Sequence, residues 1–162
     1  MNNLTISVFG NQIFLEIINK LSLFSKYKII FCDNLDFFSK DKRNYDQLII
    51  FFLTRQNEKD YVEIIRKNFP LIAIYKFSKQ KKVPSGEFVE KLNMPFSVLD
   101  LEKKIISLVA RYKYRKSSII DLHGYVINKY ERKIKKNDLE LQLTEKEVNF
   151  LVLFSQNNKP LS

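Results

Sequence analysis

The hydrophobic pattern changes period several times along this chain of 162 residues. Residues 4–9 (Leu-Thr-Ile-Ser-Val-Phe) alternate apolar and polar positions and then meet Gly10-Asn11, which predicts a strand ending in a turn. Ile13, Ile17, Ile18 and Leu21 follow at helical spacing, with Leu15 and Leu23 widening the stripe. Residues 28–32 read as a second strand, and Asp33-Asn34 can cap a short helix through Ser39. Residues 45–53 are a nearly unbroken apolar run, expected of a central strand covered on both faces. Over residues 58–69, Tyr61, Ile64, Ile65 and Phe69 recur at helical spacing opposite Lys59, Arg66 and Lys67. Pro70 starts a strand over 71–75, and residues 88–92 read as a fifth. Between them, 76–86 is basic and holds Pro84 and Gly86, so a helix there is short at best. Ser97 then caps a long helix with Leu101, Ile105, Leu108 and Tyr112 on one face. Strands alternating with helices predict an α/β fold, a doubly wound parallel five-stranded sheet.

After Tyr114 the rhythm shifts. Arg115-Lys116-Ser117-Ser118 is polar and basic, which predicts a first domain over 1–114, a linker over 115–118 and a second domain over 119–162. The second contains short strands over 122–127, 132–135 and 139–143, separated by Asn128-Lys129-Tyr130 and Asn137-Asp138, an antiparallel meander. Leu143-Thr144-Glu145-Lys146-Glu147-Val148 then marks a helix start. Thr144 is placed to cap, Glu147 to bond back to it, and Leu143 and Val148 to pack across the entry. The helix runs through Leu151 and Phe154 and stops near Asn157-Asn158, ahead of Pro160.

Composition narrows the classes. Hydrophobic residues make up 45% of the chain and only three residues are Gly, so disordered and fibrous classes are excluded. Met1-Asn2-Asn3 lacks the basic start of a signal peptide, and no apolar run reaches membrane-spanning length. A single Cys32 and a single His123 leave no internal disulfide and no metal-ligating cluster, so neither metal nor cofactor is expected. These features fit a reducing cytoplasm. The net charge is +10, with 17 Lys/Arg against 12 Asp/Glu over residues 1–110 and 11 against 6 over residues 111–162. Cation density therefore rises after Ala110, which suits a polyanionic partner as well as a generally lysine-rich surface.

Two features together resemble the OmpR-type family of two-component response regulators, in which a receiver domain precedes a winged helix. One is the five-unit order followed by Met94-Pro95-Phe96, similar to the family's Lys-Pro-Phe. The other is Leu143-Thr144-Glu145-Lys146-Glu147 after a small meander, with Asn157-Asn158-Lys159-Pro160-Leu161-Ser162 following, similar to the family's Leu-Thr-x-x-Glu helix start and the turn beyond it. The resemblance spans nearly the whole chain and implies a cis bond before Pro95. It implies a cytoplasmic, DNA-binding regulator of transcription that dimerises through the face of helix 4, strand 5 and helix 5. Here that face comprises 76–86 and the helix 98–112, with Asp100, Glu102, Lys103 and Lys104 available for cross-pairs.

The departures are chemical. A receiver holds Mg²⁺ with a carboxylate pair after strand 1, because the phosphoryl group's charge must be neutralised. Gly10 and Asn11 stand there instead. The acceptor Asp maps to Phe51, or to Phe52 in a register one residue later, while Asp46 matches a structural Asp of the family and not the acceptor. The hydroxyl that reads the phosphoryl group maps to Tyr75, and the Lys before Pro to Met94. The expectation is a pseudo-receiver that cannot be phosphorylated, with the lost pocket filled by Phe51, Phe52 and Tyr75. The winged helix is expected to be incomplete, since the chain stops at Ser162 where the recognition part should begin. Arg111, Lys113, Arg115, Lys116, Lys133, Lys135 and Lys136 could still hold DNA phosphates weakly and without sequence preference. An alternative is a protein–protein docking or dimerisation module that binds no DNA. No Gly-rich loop, Ser/His/Asp set or carboxylate pair at strand ends suggests an enzyme or a small-molecule substrate.

Overall fold

Consecutive apolar positions along the central strands give the first sheet two covered faces. The computed structural model describes residues 4–34, 47–76 and 84–156. Strands β1 (Thr5–Phe9), β2 (Lys28–Cys32), β3 (Gln47–Leu53), β4 (Leu71–Tyr75) and β5 (Val89–Asn93) are all parallel, in the order β2-β1-β3-β4-β5. Successive side chains point to opposite faces. Ile6, Val8, Leu48, Ile50, Phe52, Ile72 and Ile74 thus enter one cluster, with Ile18 of helix α1 (Gln12–Asn19) and Leu101, Ile105 and Leu108 of α3 (Val98–Ser117). Phe9, Ile49, Phe51, Leu53, Leu71 and Ala73 enter the other, beneath Tyr61 and Ile64 of α2 (Glu58–Arg66). Leu48 to Leu53 are buried without interruption, so β3 is the central strand its apolar run predicts.

The helix α1 is rotated from its expected setting. Ile13 is 72% exposed and Ile17 53%. Leu15, Ile18, Leu21 and Leu23 pack on the cluster as expected, and Phe14 joins them in place of Ile13 and Ile17. Two local constraints fix this phase. The Phe14 N–H donates to Asn11 Oδ1 at 2.9 Å as the N-cap bond, and the Phe14 ring meets Phe52 edge-on at 4.8 Å. Asn11 is therefore a helix cap. Asn11→Ala should lower the unfolding free energy by about 1 kcal/mol. Asn11→Asp should be neutral or slightly stabilising, since a carboxylate keeps the acceptor and favours a helix N-terminus. Urea titration of the two variants checks both.

The start of α2 carries Glu58 and Asp60 and its last turn Arg66, as the helix dipole favours. It ends where Asn68 takes φ 59°, ahead of Pro70. At the start of α3 the Asp100 N–H donates to Ser97 Oγ at 3.0 Å. The fifth strand begins one residue later than expected, at Val89, with Phe88 buried beside it. The short helix expected through Ser39, Asp46 at the head of β3, and most of the basic 76–86 segment lie outside the described residues.

The chain divides into two compact units, Met1–Tyr112 and Lys113–Ser162. The division falls inside α3, which continues through Arg115, Lys116 and Ser117 where polar composition suggests a linker. Those residues favour helix as much as coil, and the Ser118 N–H closes the last turn onto the Tyr114 and Arg115 carbonyls. In the second unit β6 (Ile119–Leu122), β7 (Tyr125–Asn128), β8 (Lys133–Lys136) and β9 (Leu139–Gln142) form an antiparallel sheet in chain order. The stretch 122–127, expected as one strand, is broken by a two-residue hairpin. His123 and Gly124 take φ 54° and 83°, the pair of left-handed residues such a tight turn needs. Ile120, Ile127, Ile134 and Leu141 form one cross-strand row. The helix α4 (Glu145–Gln156) lies against β6. Its start is the expected reciprocal cap. Glu147 N–H donates to Thr144 Oγ1 at 3.3 Å, and Thr144 N–H to Glu147 Oε2 at 2.7 Å, which holds the Glu147 carboxyl below its usual range. Val148 is its buried residue. The turn over 157–162 lies outside the described residues.

Candidate functional site

In a doubly wound sheet, ligands and chemistry gather beyond the carboxyl ends of the strands. Here that edge is formed by Phe9-Gly10-Asn11 after β1, Phe51 to Leu53 on β3, Tyr75-Lys76 after β4 and Met94-Pro95-Phe96 after β5. Phe51 is fully buried and stacks on Phe9 with centroids 4.7 Å apart and planes within 8° of parallel. The Tyr61 ring, tilted 46° to that of Phe51, lies with its centroid 5.5 Å away. The Tyr61 hydroxyl donates to the Pro84 carbonyl at 2.8 Å, and burial pushes its pKa up to about 12. The position expected to carry an acceptor carboxylate is thus hydrocarbon on every side that these rings cover.

Phe51 and Tyr75 do share one face of the sheet, and Tyr75 is half-buried at its margin. Phe52 points to the opposite face, against Phe14, so it does not fill the same pocket. Phe9 fills it instead. In the β1–β3 register Phe9 is the Cα partner of Phe51, a cross-strand pairing that no short motif reveals. Met94 packs with the other cluster, although its N–H donates to the Tyr75 carbonyl at 3.0 Å. The Met94–Pro95 peptide bond is cis. Lys76, Met94, Pro95 and Phe96 line a shallow concavity of about 380 Å³ at this edge.

Gly10 is shaped by backbone rather than by ligand chemistry. It holds φ 85°, and a Cβ there would sit 3.2 Å from the Phe52 carbonyl oxygen. Asn57 ties the adjoining loop, donating from Nδ2 to that carbonyl at 2.8 Å and accepting from the Thr54 N–H at 2.8 Å. Among the described residues no group of three His, Cys, Asp or Glu side chains could hold a metal ion. Cys32 ends β2 as a buried residue whose thiol burial pushes up, and His123 serves the exposed turn before β7.

The basic positions are dispersed. Arg111 bonds to Glu90 at 3.1 Å, and Arg115 bonds to Glu131 at 3.0 Å with its guanidinium over the Tyr130 ring. Lys133 is paired with Glu140, which lowers that carboxyl's pKa and raises the ammonium's. Lys136 lies over the Tyr125 ring at 4.1 Å. Strand alternation puts Lys133 and Lys135 on one face of the second sheet and Lys136 on the other. Lys113 and Lys116 lie near the end of α3. Lys133, Lys135 and Lys136 therefore do not share one face of the second sheet.

No family model matches the sequence, and no curated protein matches it. A solved structure of a mutant of RitR, a response regulator, is similar over 99% of this chain and 76% of that chain, at a TM-score of 0.51 and 9% identity. That likeness shows the fold: a receiver-like α/β unit with five parallel strands, followed by a four-stranded antiparallel sheet and a helix. Among the described residues no helix is long and apolar enough to cross a membrane.

Proposed function

We propose that this chain is a cytoplasmic regulator of the atypical response-regulator type, whose receiver-like unit works without phosphorylation. One observation carries the reading: Phe51 is fully buried in a stack with Phe9 where phosphotransfer would need an exposed carboxylate beside a metal. Gly10 and Asn11 support it, one held by its backbone and the other spent as a helix cap. The second sheet and the capped helix α4 follow in the order of an OmpR-type winged helix, which supports a role in transcription. The chain is proposed to act by binding and not as an enzyme. Incubation with Mg²⁺ and a small phosphodonor, followed by intact mass measurement, is expected to leave the mass unchanged. A phosphoryl adduct on any Asp within residues 1–110 would overturn the reading.

The docking-module alternative also has an observation in its favour. Arg111, Arg115 and Lys133 are each paired with a carboxylate, so three of the seven candidate phosphate contacts are already engaged within the chain. Any DNA contact by this chain is therefore proposed to be weak, salt-sensitive and indifferent to sequence. Competition between a promoter duplex and a random duplex separates the two readings. Sequence-indifferent binding that fades with salt supports contact with DNA, and no binding at low salt supports the docking module.

A further inference from the structure

Within the second unit, the end of α3 and the turn between β7 and β8 bring two exposed tyrosines together. Tyr114 and Tyr130 are 59% and 58% exposed, and their rings meet edge-to-face with centroids 5.9 Å apart. The backbone beneath them is tied on both sides. Buried Ser118 donates from Oγ to the Tyr114 carbonyl at 2.7 Å, and its own carbonyl accepts the Lys129 N–H at 2.8 Å. Asn128 Oδ1 accepts the N–H groups of Tyr130 and Glu131, each at 3.1 Å. Glu131 holds Arg115 at 3.0 Å, and that guanidinium lies 4.7 Å from the centroid of the Tyr130 ring. Arg115 is thus a prop for the ring rather than a spare charge. Two exposed rings stand on backbone that is already ordered, so a flat ligand meets them at little further cost in freedom.

We propose that this corner binds the unpaired bases of a single-stranded nucleic acid, which stack on Tyr130 and Tyr114 while Lys129 and Arg132 meet the phosphates. Every base has a π-face, and a duplex keeps those faces inside its own stack and shows only edges, so exposed rings favour the single strand. Charge points to the same ligand, because residues 113–116 and 129–133 hold six Lys/Arg and one carboxylate. Lys129 and Arg132 bracket Tyr130 in the turn, and Arg132 is 54% exposed with Glu145 at 3.9 Å. An acidic polypeptide would answer the charge but leave the rings without a partner. The duplex contact proposed above uses phosphates alone, so its failure leaves this corner untouched, and the phosphorylation reading does not enter.

Fluorescence anisotropy with labelled oligo-dT and oligo-rU strands of about 20 nucleotides, enough to cover one such site, tests it against a duplex of equal length. At equal salt the better strand should bind about tenfold tighter than the duplex, and it identifies the natural ligand as DNA or RNA. Tyr130→Ala should weaken strand binding about tenfold, the loss of one stacked base, and leave duplex binding unchanged. Tyr130→Leu, which keeps bulk without a π-face, should weaken it as much, and Tyr130→Phe should retain it. Joint Lys129→Gln and Arg132→Gln substitution should lower the salt slope of strand binding by about 1.4, two phosphate contacts at about 0.7 each. Thermal melting verifies that each variant folds. Strands bound no more tightly than the duplex overturn the proposal. So does wild-type strand binding by Tyr130→Leu, or displacement of the strand by polyglutamate, a polyanion without bases, as readily as by unlabelled strand.

Discussion

Phe51→Asp is expected to lower the unfolding free energy of the receiver-like unit by about 4 kcal/mol or more. Removing a fully buried ring costs about 3–5 kcal/mol through lost transfer energy and the cavity left behind. The new carboxylate would then sit beside the rings of Phe9 and Tyr61, which offer it no hydrogen-bond donor. Domains have only about 5–15 kcal/mol in total, so most of the margin goes. A carboxyl in such a place has a folded-state pKa raised above its unfolded value of about 3.9, so the unfolded state gives up its proton first. Stability must then fall as pH rises through that window, and the penalty is smaller at pH 4 than at pH 7. Phe51→Leu keeps the hydrocarbon and should lack this pH dependence. Urea titration of both variants at the two pH values measures it. A neutral-pH loss below about 1 kcal/mol for the Asp variant would show that the position is open to solvent.

Gly10→Asp is expected to cost about 2–3 kcal/mol, adding left-handed backbone strain to a tight contact. At φ 85° any side chain is strained, and the added Cβ meets the Phe52 carbonyl oxygen, which Asn57 already holds. Gly10→Ala should lose nearly as much, because the penalty comes from Cβ and not from charge. The midpoint of urea unfolding, read at unchanged slope, checks both. Combining Gly10→Asp with Phe51→Asp should therefore yield a less stable protein and no phosphoryl acceptance. Introducing a receiver's residue types one by one does not build a phosphorylation site where the backbone is committed elsewhere.

What the sequence reveals here is whatever is encoded locally. The reciprocal cap at Thr144 and Glu147 depends on residues three apart, and β4 is bounded by Pro70 and a change in polarity, so both are legible. The parallel sheet follows from the order of strands and helices. The partner of Phe51 is not legible, because Phe9 reaches it only through a strand register spanning forty-two residues. The phase of α1 is hidden because its five apolar positions fit two faces, and the packing of Phe14 on Phe52 decides between them. The hairpin at His123-Gly124 is masked by apolar residues on both sides that read as one strand. The same limit applies to the basic residues. A count of cations does not show that Glu90, Glu131 and Glu140 stand beside three of them.

The parallel rings of Phe9 and Phe51 also bear on how such a protein could be controlled. A ligand moves an equilibrium only by binding one conformation better than another, and it needs a second conformation to move toward. Among the described residues, the stack of Phe9 on Phe51 fills the position where a phosphoryl group would act. On the proposed reading the protein holds no memory of a signal in its own chemistry. Its output would then follow how many copies are made and how quickly they are removed.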